Sequence, residues 1–305
     1  MKLRLAVPDL VSNSYFPAIA AVDLGLFVAE GLDVTVELIF PVDRAYAALR
    51  DHHIDLVAGS AHSAVSAFPN WRGVRLLCAQ AQGMYWFLVM HSDLQCQRGD
   101  LSSLKGRHIG AAPWVELGLK GLLAASGYDL IRDDIRIGPV SRTQFPADGL
   151  PVNFGLNAAT ALRDREIDGF WANGMGAELA VRGGFGTLVL DVRRGDGPPE
   201  CFHYTFPGVA ARADLDDTAS TAVVRAIRAT HTRLKADPDL ALAVARKRFP
   251  ENTHAAIVGL IRRDLPFYET TIAADTFARM NAFLQSVGFV HTPPPFATAV
   301  FSAPP

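Results

Sequence analysis

Asp55-Leu56-Val57-Ala58-Gly59-Ser60-Ala61-His62-Ser63-Ala64-Val65-Ser66 is the stretch on which the fold turns. The apolar run Leu56 to Ala58 stops at Gly59-Ser60 and small helix-forming residues follow at once, so the pattern predicts a buried strand that hands over to a helix N-terminus. The first N–H groups of a helix have no partner inside it and carry partial positive charge, which makes such a junction a polar site. Gly59 lets the backbone approach a ligand, Ser60 is a good N-cap, and His62 falls in the first turn. The plainer alternative is that Ser60 only caps a helix, since α/β folds contain many such turns without ligands.

On the N-terminal side, Leu3 to Val7 alternates as a strand, followed by the turn-rich stretch Pro8 to Tyr15 and a helical pattern from Phe16 to about Ala29. Pro17 is placed in the first turn, and Gly25 and Gly31 mark the end. Asp33 to Ile39 alternates again, and Asp43 caps a helix through Arg50. This β-α-β-α-β-α order predicts a parallel sheet with ligand crevices beyond its strand ends. On the C-terminal side, Val74 to Ala79 and Tyr85 to Met90 are apolar runs. The junction then recurs twice: His108 to Ala112 gives way through Pro113-Trp114 to a helix, and Ile167 to Trp171 gives way through Ala172-Asn173-Gly174 to another. A polar link, Arg193 to Glu200, precedes an expected strand over Phe202 to Ala211. About Asp217 to Val287 reads as helical and ends in a Pro-rich tail. A chain that leaves one domain, builds a second and returns needs two crossing strands, and the candidates are 83–91 and 192–205.

Composition limits the function. The 305 residues are 50% hydrophobic and 20% charged, with a net charge of -2, so the chain can bury a full core and offers no broad basic face for a nucleic-acid backbone. Three scattered cysteines give neither a disulfide framework nor a CxxC motif, no metal-ligand spacing is present, and no run is long enough to span a membrane. Met1-Lys2 leads directly into the first strand. The expected location is cytoplasmic if Met1 is the native start and periplasmic if a leader was trimmed.

Two blocks of residues resemble a family. Pro17 to Val34, with Leu24-Gly25-Leu26-Phe27 and Glu30-Gly31-Leu32-Asp33-Val34, and then Ile54 to Ser60, look like the "G-x-F/Y-x-x-x-G-L-D/E-V" and "D-x-x-x-G-S" signatures of the SsuA/TauA/NMT1-like solute-binding proteins. Asp100 to Gly110 is similar to that family's "DLKGKxIG", and Ile167 to Trp171 to its "G-x-I-D-A-x-W". The resemblance implies an α/β, two-lobed type II periplasmic-binding-protein fold with two hinge-crossing strands. Lobe I would be 1–85 plus 200–305, and lobe II 86–199. It implies a monomer that captures a small molecule between the lobes for an ABC-type permease, with no cofactor, no metal, no nucleic acid and no membrane insertion. Carried over by position, the ligand contacts are Asn13, Ser14 and Tyr15, then Ser60 and His62, then Trp114, Trp171 and Asn173, with Tyr85 and Trp86 at the hinge. The many aromatic residues point to an aromatic or heteroaromatic ligand.

The alternative is a cytoplasmic enzyme on the same scaffold, decarboxylase, desulfinase or lyase-like, acting on an aromatic acid or pyrimidine-like substrate. His62 would be its catalytic base, with Cys201 and His203 on one strand face as a thiol and imidazole pair. Arg193-Arg194 and Arg246-Lys247-Arg248 read as solvated faces.

Overall fold

The computed structural model describes residues 1–10, 13–141, 154–249 and 251–303, which leaves residues 11 and 12 of the turn-rich stretch and the last two of the tail outside the described residues. The chain divides into two compact units, one of residues 1–83 and 203–305, the other of residues 84–202.

The first unit is built on β1 (Lys2–Val7), α1 (Phe16–Asp23), α2 (Leu26–Ala29), β2 (Asp33–Leu38), α3 (Val42–Arg50), β3 (Leu56–Ser60) and β4 (Val74–Ala79). The second contains β5 (Phe87–His91), β6 (His108–Ala111), α4 (Val115–Ala125), β7 (Arg136–Gly138), α5 (Phe154–Arg163), β8 (Gly169–Ala172), α6 (Gly174–Arg182) and β9 (Gly186–Asp191). The chain then completes the first unit with β10 (Pro207–Arg212), α7 (Asp217–Ala236), α8 (Leu240–Arg248), α9 (His254–Asp264), α10 (Ala274–Ser286) and α11 (Phe296–Ala299).

Both sheets follow one plan. Their orders are β2-β1-β3-β10-β4 and β7-β6-β8-β5-β9. In each, three parallel strands are joined by crossover segments, and the strand that follows the passage from the other unit, β10 or β5, is inserted antiparallel beside the third. The all-parallel sheet expected from the β-α-β-α order is therefore mixed. Inserted strands come from outside the local βα repeat, so no local pattern announces their direction.

β3 occupies the centre of the first sheet and is buried along its whole length, which is why it reads as an uninterrupted apolar run rather than an alternating one. Its register sets Leu56 beside Leu5 and Gly59 opposite Gly208 of β10. Gly59 has a packing role: a Cβ there would stand 3.1 Å from Val42 Cγ2 and 3.2 Å from Val57 Cγ1. The direction a side chain would take there is filled by Val42 of α3 and by Val57.

The long expected helix over 16–29 is broken in two at Gly25, whose φ of 73° is the left-handed region that a residue without Cβ adopts freely. Pro41, not Asp43, holds the N-cap of α3, and Asp43 lies in the first turn, where its charge meets the positive end of the helix.

Candidate functional site

The loop after β1 carries Asn13, Ser14 and Tyr15, and all three are buried. Tyr15 stands at the N-cap of α1 without a side-chain cap bond, and Pro17 needs no N–H partner there. Cover for the open helix end comes from β4 instead. Gln80, fully buried just past that strand, accepts from Ala18 N–H at 3.1 Å and donates through Nε2 to Gly208 O at 3.2 Å. Asn13 is fixed from far along the chain: its Nδ2 donates to the Asp264 carboxylate at the end of α9, and its carbonyl accepts from Tyr268 Oη at 2.9 Å. Tyr268 in turn stacks on His231 of α7, with ring centroids 5.1 Å apart. Burial holds the His231 imidazole down to a pKa of about 4, and Lys235 pushes the same way against a weaker pull from the Gln80 carbonyl and Glu269.

The β3 junction differs from its expectation. Ala61–Ser66 is a 3-10 turn, not an α-helix, and Ser60 makes no cap bond. Its hydroxyl instead meets Ser63 Oγ at 2.6 Å, while its carbonyl accepts from Tyr46 Oη at 3.1 Å. Serine hydroxyls that bond locally compete with helical carbonyls, and a tight turn results. His62 does not face open solvent: it is 1% exposed and its Nδ1 lies 2.8 Å from Thr205 Oγ1, beside Phe283 of α10. The segment entering β10 rests on the same helix, because Tyr204 stacks on Phe283 at 4.2 Å and His203 Nδ1 lies 3.4 Å from Thr276 Oγ1.

In the second unit, Tyr85 and Trp86 precede β5 and Trp171 belongs to β8. The rings of Tyr85 and Trp86 are 4.7 Å apart, those of Trp86 and Trp171 6.2 Å, and all three are buried. Arg193 joins them: its guanidinium carbon lies 5.5 Å over the Tyr85 ring. Trp171 Nε1 is buried and has no hydrogen-bond partner among the described residues. Leaving such a donor unmet costs about 1–3 kcal/mol, so a well-placed acceptor there is rewarded.

Trp114 and Asn173 do stand at helix starts. Trp114, half-buried with φ of 70°, precedes α4. Asn173 caps α6 by accepting from Met175 N–H at 3.3 Å. Its setting is tight, because a Cβ on Gly155 would stand 2.6 Å from Asn173 Oδ1 and one on Gly176 2.3 Å from Gly155 O. Two glycines thus let α5 and α6 touch at the cap.

Two sequence readings are overturned here. Cys201 and His203 lie in the 3-10 turn Pro199–His203 and not on a strand, since consecutive prolines at 198 and 199 favour a tight turn over a ladder that needs N–H donors. Arg193 is not on a solvated face: it is 6% exposed, and its neighbour Arg194 pairs with Asp191 at 2.8 Å. Among the described residues, no group of three or more His, Cys, Asp or Glu side chains could hold a metal ion.

No family model matches the sequence, and no curated protein matches it at a significant level. Solved structures do match in three dimensions. A protein of Bordetella bronchiseptica RB50 superposes with a TM-score of 0.74 at 20% identity, over 98% of this chain and 94% of that one. The alkanesulfonate-binding protein SsuA of Xanthomonas axonopodis pv. citri, bound to MOPS, gives 0.71 at 15% identity over 98% of each chain. The chain has the periplasmic-binding-protein fold of the SsuA-like proteins. The nitrate-binding protein NrtA of Synechocystis PCC 6803 shares it, at 0.66 and 14% identity over 95% of this chain and 82% of that one.

Within this SsuA-like fold, sequence reasoning missed three polar residues. Arg193 was hidden in a run of charged and glycine residues that reads as loop, and Asp264 in the charged end of an amphipathic helix. Gln80 carried one usable signal, a polar residue closing an apolar strand run, where a buried amide must find partners.

Proposed function

We propose that this protein is a solute-binding protein that captures a small organic acid with a flat aromatic or heteroaromatic body and passes it to an ABC-type permease. One observation carries the reading: the unmet Trp171 N–H sits in a buried group of aromatic rings that also contains the Arg193 guanidinium. Aromatic faces give a planar ligand a large contact area at little rotamer cost. The unmet indole N–H can donate to a carboxylate or sulfonate oxygen, and the positive charge of the guanidinium favours the same anion. Tyr85, Trp86, Trp171 and Arg193 are the contacts assigned to it.

The fold supports the transport role, because proteins that share it are named for binding an alkanesulfonate and nitrate, both small anions. A periplasmic location and a permease partner go with that role. No helix among the described residues is long and apolar enough to cross a membrane, so delivery would rely on a separate permease. In the enzyme reading the base would be His62, which is buried with its Nδ1 2.8 Å from Thr205 Oγ1.

Native mass spectrometry tests the proposal. The protein is incubated with a panel of aromatic carboxylates, sulfonates and pyrimidines, the complex is weighed, and the released compound is weighed again after denaturation. One compound retained one-to-one and released unchanged is the expected result. A panel compound consumed, with a new mass in its place, would make the protein an enzyme.

A further inference from the structure

The two edges of the first sheet are finished in different ways. β2, on one edge, carries Asp33 and Glu37 exposed, so a like strand brought against it would meet like charges. β4, on the other edge, reads Val74-Arg75-Leu76-Leu77-Cys78-Ala79. It has one charge and neither proline nor glycine, the composition that pairs most readily with another strand. An edge of that kind needs a cover.

The cover is the segment that follows α10. Its root is fixed by Asn70, whose Oδ1 accepts from His291 N–H at 2.9 Å and from Thr292 N–H at 3.3 Å. Pro293, Pro294 and Pro295 come next, and they favour an extended chain with no N–H to satisfy. Phe296 meets Phe277 of α10 edge-on at 5.8 Å, and Ala299 and Val300 are buried. At the tip, Val300 bridges to Leu76 of β4 in parallel and Phe301 N–H donates to Leu76 O at 2.9 Å. The Arg75 guanidinium carbon stands 5.1 Å over the Phe301 ring, and Arg75 is itself held by Nη2 bonds of 2.9 Å to Leu215 O and to Asp217 Oδ1. Farther along β4, Ala79 N–H is taken by Thr270 O at 2.9 Å. The strap therefore closes the stretch of β4 that the segment at 270 leaves open.

We propose that residues 296–303 are an edge guard that keeps the protein monomeric, and that the partner they exclude is a second copy of this chain. Without the strap, Leu76 O loses its donor and an apolar strand is left at a sheet edge. A two-fold axis beside β4 brings the same edge of another copy against it, antiparallel, and each edge then supplies what the other lacks. The guard lies wholly in the first unit and is independent of the acid contacts assigned above.

Size-exclusion chromatography with light scattering, over about a hundredfold range of concentration, tests this. The full chain is expected at the mass of one copy throughout, and a variant ending at Pro295 should move to the mass of two as concentration rises. A synthetic peptide of residues 296–303 should return the shortened chain to the mass of one. The same peptide carrying Phe301→Pro should not, because the N–H that reaches Leu76 O is gone. A full chain that is itself dimeric overturns the proposal, as does a shortened chain that stays single or an association that the peptide does not reverse. If circular dichroism shows the shortened chain unfolded, two full-length variants decide. Phe301→Pro should then form dimer where Phe301→Tyr, which keeps the N–H and the ring, stays single; equal masses for the two overturn the proposal.

Discussion

His231 gives the fold a built-in sensitivity to acid. The ring is buried in α7, stacked on Tyr268, and its pKa is depressed from 6.5 to about 4, chiefly by burial and next by Lys235. The unfolded chain takes up a proton as pH falls through about 6.5, while the folded ring stays neutral until about pH 4. Stability contributed by the neutral ring is thus complete above pH 6.5 and declines as the pH drops through that window. At 1.36 kcal/mol per unit, the full loss is about 3 kcal/mol, and at pH 4.5 it is about 2–3 kcal/mol. His231→Phe keeps the stack and removes the proton. Urea unfolding of both proteins, followed by circular dichroism at pH 7 and pH 4.5, isolates the effect, because every carboxylate that titrates in this range is common to the two. The advantage of wild type over variant should shrink by about 2–3 kcal/mol between the two pH values. A difference unchanged to within about 0.5 kcal/mol, the usual scatter of independent substitutions, would refute the reasoning. Because Tyr268 also donates to the Asn13 carbonyl, the protection factors of the amides of residues 13–15 should fall over the same pH range.

Other substitutions probe the remaining contacts. Trp171→Phe removes the unmet N–H, and affinity for the acid identified by mass spectrometry should fall about 10- to 100-fold, the worth of a hydrogen bond to a charged acceptor; equal affinity would remove Trp171 from the site. Gly176→Ala forces a methyl group against the Gly155 backbone and should cost about 3 kcal/mol in urea unfolding. A loss below about 0.5 kcal/mol would show that α5 and α6 can separate freely. Asn13→Ala deprives the buried Asp264 carboxylate of an amide donor and should lower stability by about 1–3 kcal/mol, read in the same assay. The conservative Asn13→Gln should recover little of it, since the longer amide no longer fits the loop.

Strand positions were legible because they depend on local pattern. β3 declares itself by an apolar run between Asp55 and Gly59, and β1 and β2 by alternation, since one strand is buried on both faces and the others only in part. Strand direction was not legible for β5 and β10, and the reason is topological: each enters its sheet after a passage from the other unit, and hydrophobic pattern is blind to chain direction. The same distinction explains the junction at Ser60. Its place in the sequence was read correctly, but whether the following turn is α or 3-10 depends on the Ser60–Ser63 bond, and Gly59's role depends on α3 lying above it.

Charge is harder to read than apolar pattern, because a charged residue has two physical solutions and local sequence does not choose between them. Arg194 follows one, pairing with Asp191 three residues back; Arg193, its neighbour, is turned inward over Tyr85. Adjacent side chains leave a short turn in different directions, so one arginine of a pair is turned inward even where the stretch as a whole is polar. The guanidinium can be buried because its planar face stacks on an aromatic ring and its hydration is weaker than that of an ammonium. Lysine lacks both properties. Arg193→Lys, a nominally mild change, should therefore cost more than Arg194→Lys both in stability and in affinity for the captured acid, and equal effects would mean that the Tyr85 stack contributes nothing.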